Sequence, residues 1–290
     1  MLKEILSNNW HAEYTQAIQH EAINAIENGN IIFFPQLSFT LSEAEQRFLS
    51  PGFAHVKAKN ISFNRSTNKV RCAECSVEDY ENLKLMMQRY SEYAEKLVRQ
   101  LFSPYAQALQ VGRTSYRPIE IAGRKSSYRK DDTRLHVDAF PATPNHGRRI
   151  LRVFTNVNPD GQDRVWRVGE SFTQVASQFL PGISQQFFGK AALLNALRLT
   201  KTFRTEYDHI MLQIHDRMKA NMRYQKTATQ QEIRFAPATT WIVQTDHVSH
   251  AAMSGQYVLE QTFYLPVNAM VNPDLSPLRT LERMMGKTLT

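Results

Sequence analysis

His136 and Asp138, flanking Val137 in the apolar segment Leu135 to Phe140, are the residues of this chain whose types and spacing could do chemistry. The segment is β-prone, and on a strand residues i and i+2 point to one face, so an imidazole nitrogen and a carboxylate oxygen can converge on one metal ion. Far down the chain, Trp241 to His250 is another apolar, β-prone run that supplies a second histidine, His247 or His250. These two differ by three positions and face opposite sides of a regular strand, so one of them reaches the metal. His250, which closes the strand just before a hairpin signal, is the better placed. Two histidines and a carboxylate on one face of a metal, with the other face open, are the donor set of non-haem Fe(II) oxygenases. A lone His-x-Asp triplet is more often a surface hydrogen-bond pair; its setting raises this one above that.

A polar loop, Ser126 to Arg134, leads into the triplet, and Pro141 to Gly147 turns the chain away after it. The turn delivers Arg148 to Asn156, where arginines alternate with apolar residues. The expected unit is a hairpin carrying His-x-Asp on one strand and a cation on the next. A 2-oxoglutarate cosubstrate would chelate iron through its keto and C1 carboxylate oxygens and leave its far carboxylate for a guanidinium. Many such enzymes carry that cation shortly after the last histidine, but Glu260, Gln261 and Thr262 stand there in this chain. Arg152 is therefore the first candidate and Arg149 the second, with Asn156, on the same face as Arg152, as a hydrogen-bond partner. The bland alternative is that Arg152 pairs with an acid of the protein, because a guanidinium in an apolar strand requires some anion.

The 290 residues suffice for one large domain or two small ones with a substantial core. A hydrophobic share of 42% and a charged share of 21% are ordinary for a soluble globular protein. No apolar run reaches the roughly 20 residues that span a bilayer. Met1 to Leu6 runs directly into Ser7-Asn8-Asn9 with no signal-peptide apolar region, so a cytoplasmic location is expected. A net charge of +8 points to an anionic partner. The arginines recur around the metal hairpin rather than in one tail, which favours a basic pocket over a nucleic-acid groove. Cys72 and Cys75 read as two reduced structural thiols, since no second Cys-x-x-Cys accompanies them.

The elements that must position these residues follow from periodicity. Glu13 to Glu27 reads as a helix, Ile31 to Phe34 as a buried strand, and Thr40 with Glu43 as a capping box for a short helix. Ser76 caps a longer helix whose apolar stripe runs from Leu83 to Leu101 and packs as core. From Leu109 the texture becomes strand-like, at 109–111, 119–122, 135–140, 150–157 and 164–168. A short helix near 171–179 precedes a helical region over 190–224, read as an insertion covering the sheet rather than a membrane-surface helix. Strands return at 232–236 and 239–245, then in a hairpin over 251–265 around Ser254-Gly255-Gln256. The fold class is α+β, a double-stranded β-helix of jelly-roll or cupin type with N-terminal helices and a helical insertion. One dioxygenase domain over 1–290 is expected: 1–108 mainly helical, 109–182 the first β half with the metal hairpin, 183–228 the insertion, 229–290 the second β half and a C-terminal helix.

The stretch HVDAFPATPNHGRRILRVFTNVNP, then RVWRVGE from Arg164, DHVSHAAMSGQYVLEQTFYLP and SPLRTLE, resembles the Kdo hydroxylases. These are Fe(II)/2-oxoglutarate dioxygenases that hydroxylate C3 of 3-deoxy-D-manno-oct-2-ulosonic acid (Kdo) in lipopolysaccharide. The resemblance covers most of the chain from about Arg113 onward and, more loosely, the N-terminal helices. It implies that His136, Asp138 and His250 bind iron and that Arg117, Arg152, Arg164 and Trp166 line the pocket for the sugar acid or the 2-oxoacid. It also implies Kdo-lipid A or another Kdo glycolipid and O2 as partners, with possible contact to the cytoplasmic face of the inner membrane. Guanidinium forks match the carboxylate of Kdo and the phosphates of lipid A, and Trp166 can offer a sugar ring an apolar face. Two other readings stand beside it: an oxygenase for another anionic small molecule, and a metal-free jelly-roll protein that binds an anionic sugar. A nucleic-acid-binding protein is disfavoured, since no helix-turn-helix, RRM or zinc-finger pattern is present.

Overall fold

The computed structural model describes residues 1–55, 58–71, 73–184, 197 and 200–290. Its strands are β1 (Leu2–Glu4), β2 (Ile31–Phe34), β3 (Ile61–Asn64), β4 (Lys69–Arg71), β5 (Gln110–Arg117), β6 (Arg149–Asn156), β7 (Arg164–Val168), β8 (Gln231–Phe235), β9 (Thr240–Gln244), β10 (His250–Ser254) and β11 (Val258–Leu265). Eight form one sheet in the order β1-β2-β9-β6-β11-β5-β3-β4, and three form a second in the order β10-β7-β8. The result is a mixed α/β architecture with a large sheet. Cys72 and the start of the expected helical region, at 190–196, 198 and 199, lie outside the described residues.

Alternation along β6 explains how the layers stack. Leu151 and Val153 join the core cluster shared with the helices, whereas Phe154 joins a second cluster with Trp166, Phe235, Trp241 and Val243 between the two sheets. On the outer face the helix Val77–Leu101, capped by Ser76 on the Asp79 N–H, lays Leu83, Met86, Met87 and Tyr90 against the sheet. Tyr90 donates to the Val153 carbonyl at 3.2 Å and so pins that helix to β6. The core reading of the Met and Tyr stripe holds.

Five local expectations change. Leu135 to Phe140 is extended chain rather than a regular strand, bridged to β10 at His136 opposite His250. It forms no hairpin with β6, because β6 pairs β9 and β11 in the large sheet; the Pro141–Gly147 turn instead carries the chain from one sheet to the other. Nor do β10 and β11 form a hairpin, since β10 pairs β7 and β11 pairs β5 and β6. Gly255 makes that crossing at φ 103°, where a Cβ would stand 2.8 Å from the Asp163 carbonyl oxygen, closer than any side chain tolerates. Segment 119–122 is not a strand, and the short helix Glu43–Gln46 takes Ser42 and Glu45 as its capping box rather than Thr40 and Glu43. The short strands β1, β3 and β4 carry too few residues for a readable alternation.

Candidate metal centre

His136 and His250 face each other as a hydrogen-bonded antiparallel pair, each N–H donating to the other's carbonyl at 3.0 and 2.9 Å. Paired residues project to the same side, so the backbone alone brings the two rings together, with centroids 4.6 Å apart. Asp138 follows two residues on, held by its N–H to the Thr245 carbonyl at 2.8 Å, with Oδ1 at 3.7 Å from His136 Nε2. One donor atom from each of the three lies within 4.8 Å of the others.

The rings are oriented by backbone carbonyls. His136 Nδ1 donates to the Arg134 carbonyl and His250 Nδ1 to the Val248 carbonyl, both at 2.8 Å, which fixes the tautomer and leaves each Nε2 lone pair for a ligand. Burial lowers the pKa of both imidazoles and keeps them neutral, as metal ligation requires. Burial would raise Asp138, but the Arg152 guanidinium beside it holds its carboxyl well below the usual range. His247 stands apart: the chain turns between Gln244 and Val248, and its ring packs edge-on against Phe172. Of the two histidines, His250 joins the cluster.

Each clustered residue is backed by a different part of the fold. Arg152 from the large sheet places Nη2 2.8 Å from Asp138 Oδ2. Trp166 from the small sheet stacks on His250 at 5.0 Å. His215, from the helix Glu206–Ala220, meets His136 edge to face at 5.4 Å.

Arg152 is doubly engaged, for its Nη1 also donates to Glu260 Oε1 at 2.9 Å, and Arg117 Nε donates to Glu260 Oε2 at 2.9 Å. Glu260 thus stands where a cation is often found and bridges two of them. Register explains it: Thr262 pairs with Arg152 and Val258 with Arg117, so Glu260 is the diagonal neighbour of both on one face. Arg164 donates Nη1 to the Gly255 carbonyl at 2.8 Å, and its Nε has no partner among the described residues. Burial, with Arg117 nearby, pushes its pKa down to about 9, so it stays cationic at neutral pH. The buried Trp166 indole nitrogen also lacks a partner among the described residues. Next to this network a cavity of about 530 Å³ opens between Phe140, Arg113, Arg117, Arg152, Glu260 and Tyr264.

Two expected cosubstrate residues do not reach the cluster. Arg149, three positions before Arg152, faces the opposite side of β6, where its fully buried Nε donates to Asp246 Oδ2 at 2.7 Å. Asn156 shares the face of Arg152 but sits at the far end of the strand, where its amide donates to the Gln162 and Phe235 carbonyls and its oxygen accepts from the Asn158 N–H. Each has its polar atoms taken by the protein. Sequence reasoning met Glu260 only as an acid where a cation is often found and did not single out His215, Lys219 or Asp132 near the cluster; the strand pairing that brings Glu260 to Arg117 and Arg152 leaves no sequence signal.

A buried pair of imidazoles and one carboxylate, with polar groups of Arg164 and Trp166 unpartnered nearby, is the donor set of a 2-His-1-carboxylate iron centre, and the residues fit that metal. The chain belongs to the 3-deoxy-D-manno-oct-2-ulosonic acid (Kdo) hydroxylase family, whose model matches residues 9–288. It is 44% identical to the Kdo hydroxylase KdoO, a non-haem Fe(II) α-ketoglutarate-dependent dioxygenase solved with α-ketoglutarate and Fe(III), covering 100% of this chain and 97% of that one at a TM-score of 0.96. Structures of KdoO with cobalt(II), 45% identical at a TM-score of 0.97, and with succinate and Fe(III), 44% identical at 0.96, each cover 99% of this chain and 97% of theirs. No curated protein matches the chain. Among the described residues no helix is long and apolar enough to cross a membrane.

Proposed function

We propose that the chain is an Fe(II)/2-oxoglutarate-dependent dioxygenase that hydroxylates C3 of Kdo in a glycolipid such as Kdo-lipid A, with release of succinate and CO2. The observation that carries this reading is the buried cluster of His136, Asp138 and His250, with each Nδ1 engaged by a backbone carbonyl so that Nε2 is presented to the cluster, in a chain that matches a Kdo hydroxylase along its whole length. Those three residues hold the iron. When bound, iron and 2-oxoglutarate supply the O2-activating chemistry that hydroxylation needs.

The protein's part is placement. Arg152 offers a guanidinium beside Asp138 to a carboxylate of 2-oxoglutarate, with Arg117 and Glu260 holding it in position. Arg164 and Trp166, each with a buried N–H unpartnered among the described residues, receive polar groups of the sugar acid. Arg149 and Asn156 serve the fold. The two sheets are read as halves of a double-stranded β-helix in one domain over 1–290, with the helical insertion at 183–228.

Incubating the purified protein with Fe(II), 2-oxoglutarate, O2 and Kdo-lipid A tests the reading by mass spectrometry. The expected product carries one extra oxygen on Kdo, formed with succinate. An unchanged glycolipid mass would refute this substrate.

A further inference from the structure

The helix Glu206–Ala220 and the short helix Met222–Thr227 after it are strapped to the segment that carries His136. Arg134 Nη1 donates to the Lys219 carbonyl at 2.8 Å, while the Gln225 side chain accepts from the Leu135 N–H at 2.8 Å and donates to its carbonyl at 3.0 Å. Four residues apart on one helix face, His215 and Lys219 turn inward together. His215 lies against the His136 ring, and Lys219 is only 2% exposed. The ammonium of Lys219 donates to the Arg129 carbonyl at 3.2 Å, and no carboxylate lies within ion-pairing distance among the described residues. The acids whose fields reach it are already held by other cations: Asp132 by Lys59 at 2.9 Å, Asp138 by Arg152 at 2.8 Å and Asp131 by Arg134 at 3.0 Å.

A buried ammonium without a counter-ion is costly, and a divalent metal in the cluster would repel it further. Such a cation belongs in the site only if a ligand brings it an anion. Arg152, beside Asp138, is the cation assigned above to 2-oxoglutarate; Lys219, whose field reaches His136, is a further cation with no acid paired to it among the described residues. We propose that Lys219, with His215 next to it, forms a carboxylate-binding wall that takes the acid group of the sugar-acid substrate; this rests on the function proposed above.

Calorimetric titration of the Co(II)-loaded full chain with free Kdo and, separately, with 2-oxoglutarate tests it in wild type, Lys219→Met and Lys219→Arg. One charge-assisted hydrogen bond lost predicts about 10- to 100-fold weaker Kdo binding in Lys219→Met, with 2-oxoglutarate affinity within about twofold of wild type. Lys219→Arg should recover most of the loss. Unchanged Kdo binding, an equal loss for 2-oxoglutarate, or equal losses in both variants with a lowered melting temperature would each overturn the assignment. A wild type that binds 2-oxoglutarate but no Kdo would instead bring down the substrate reading, and the Lys219 assignment with it.

Discussion

One nitrogen of each clustered imidazole is already committed. The carbonyls of Arg134 and Val248 hold both rings in the tautomer that presents Nε2, so little reorganisation remains for the metal to impose. Glu260 has the largest energetic leverage nearby, because it is 2% exposed and compensates two guanidiniums, Arg117 and Arg152. Breaking a buried ion network by removing one partner costs about 3–5 kcal/mol, and Glu260→Ala is expected to lose that much in denaturant unfolding. A variant with the wild-type midpoint would contradict the bridging role. In the sequence, His136 and Asp138 were legible because their spacing has a direct geometric meaning, and Arg152 because a charge in an apolar strand demands a partner. Arg149 was misjudged for want of its own partner, Asp246, which lies far along the chain and meets it only in the folded sheet.

At the level of elements, three structures back the three clustered side chains: the large sheet through Arg152, the small sheet through Trp166 and the helix Glu206–Ala220 through His215. The helical layer is tied to the segment of His136 in part through the Gln225 side chain, which supplies both of its bonds to the Leu135 backbone. Gln225→Ala leaves that N–H and C=O unpaired, each worth about 1–3 kcal/mol when buried. The expected result is a lower melting temperature together with weaker Fe(II) binding, measured by metal titration. Wild-type metal affinity would show that the strap does not position His136. Long elements were legible: the helix Val77–Leu101, its Ser76 cap and the strands around β6, β7 and β9 follow from apolar period and capping residues. Pairing was not, because alternation says which face of a strand is apolar but not which strand lies beside it. Consecutive strands β10 and β11 look like a hairpin in sequence and belong to different sheets.

Across the whole molecule, the net charge of +8 finds part of its use in one place, where Arg117, Arg152, Arg164 and Lys219 converge on Asp138, Asp132 and Glu260. That excess of cations around a metal cluster suits a dianionic cosubstrate and an acidic sugar. The centre itself exists only in the folded chain, since the segment at His136 and the strand at His250 are remote in sequence and meet through backbone hydrogen bonds at His136–His250, Asp138–Thr245 and Asp132–Ala252. Anaerobic titration of the protein with Fe(II) and 2-oxoglutarate reads that meeting directly through the visible metal-to-ligand charge-transfer band. The band should form in wild type and in His247→Ala and vanish in His136→Ala and His250→Ala. A band that survives the loss of His250, or that never forms in wild type, would contradict an iron site built from these three residues.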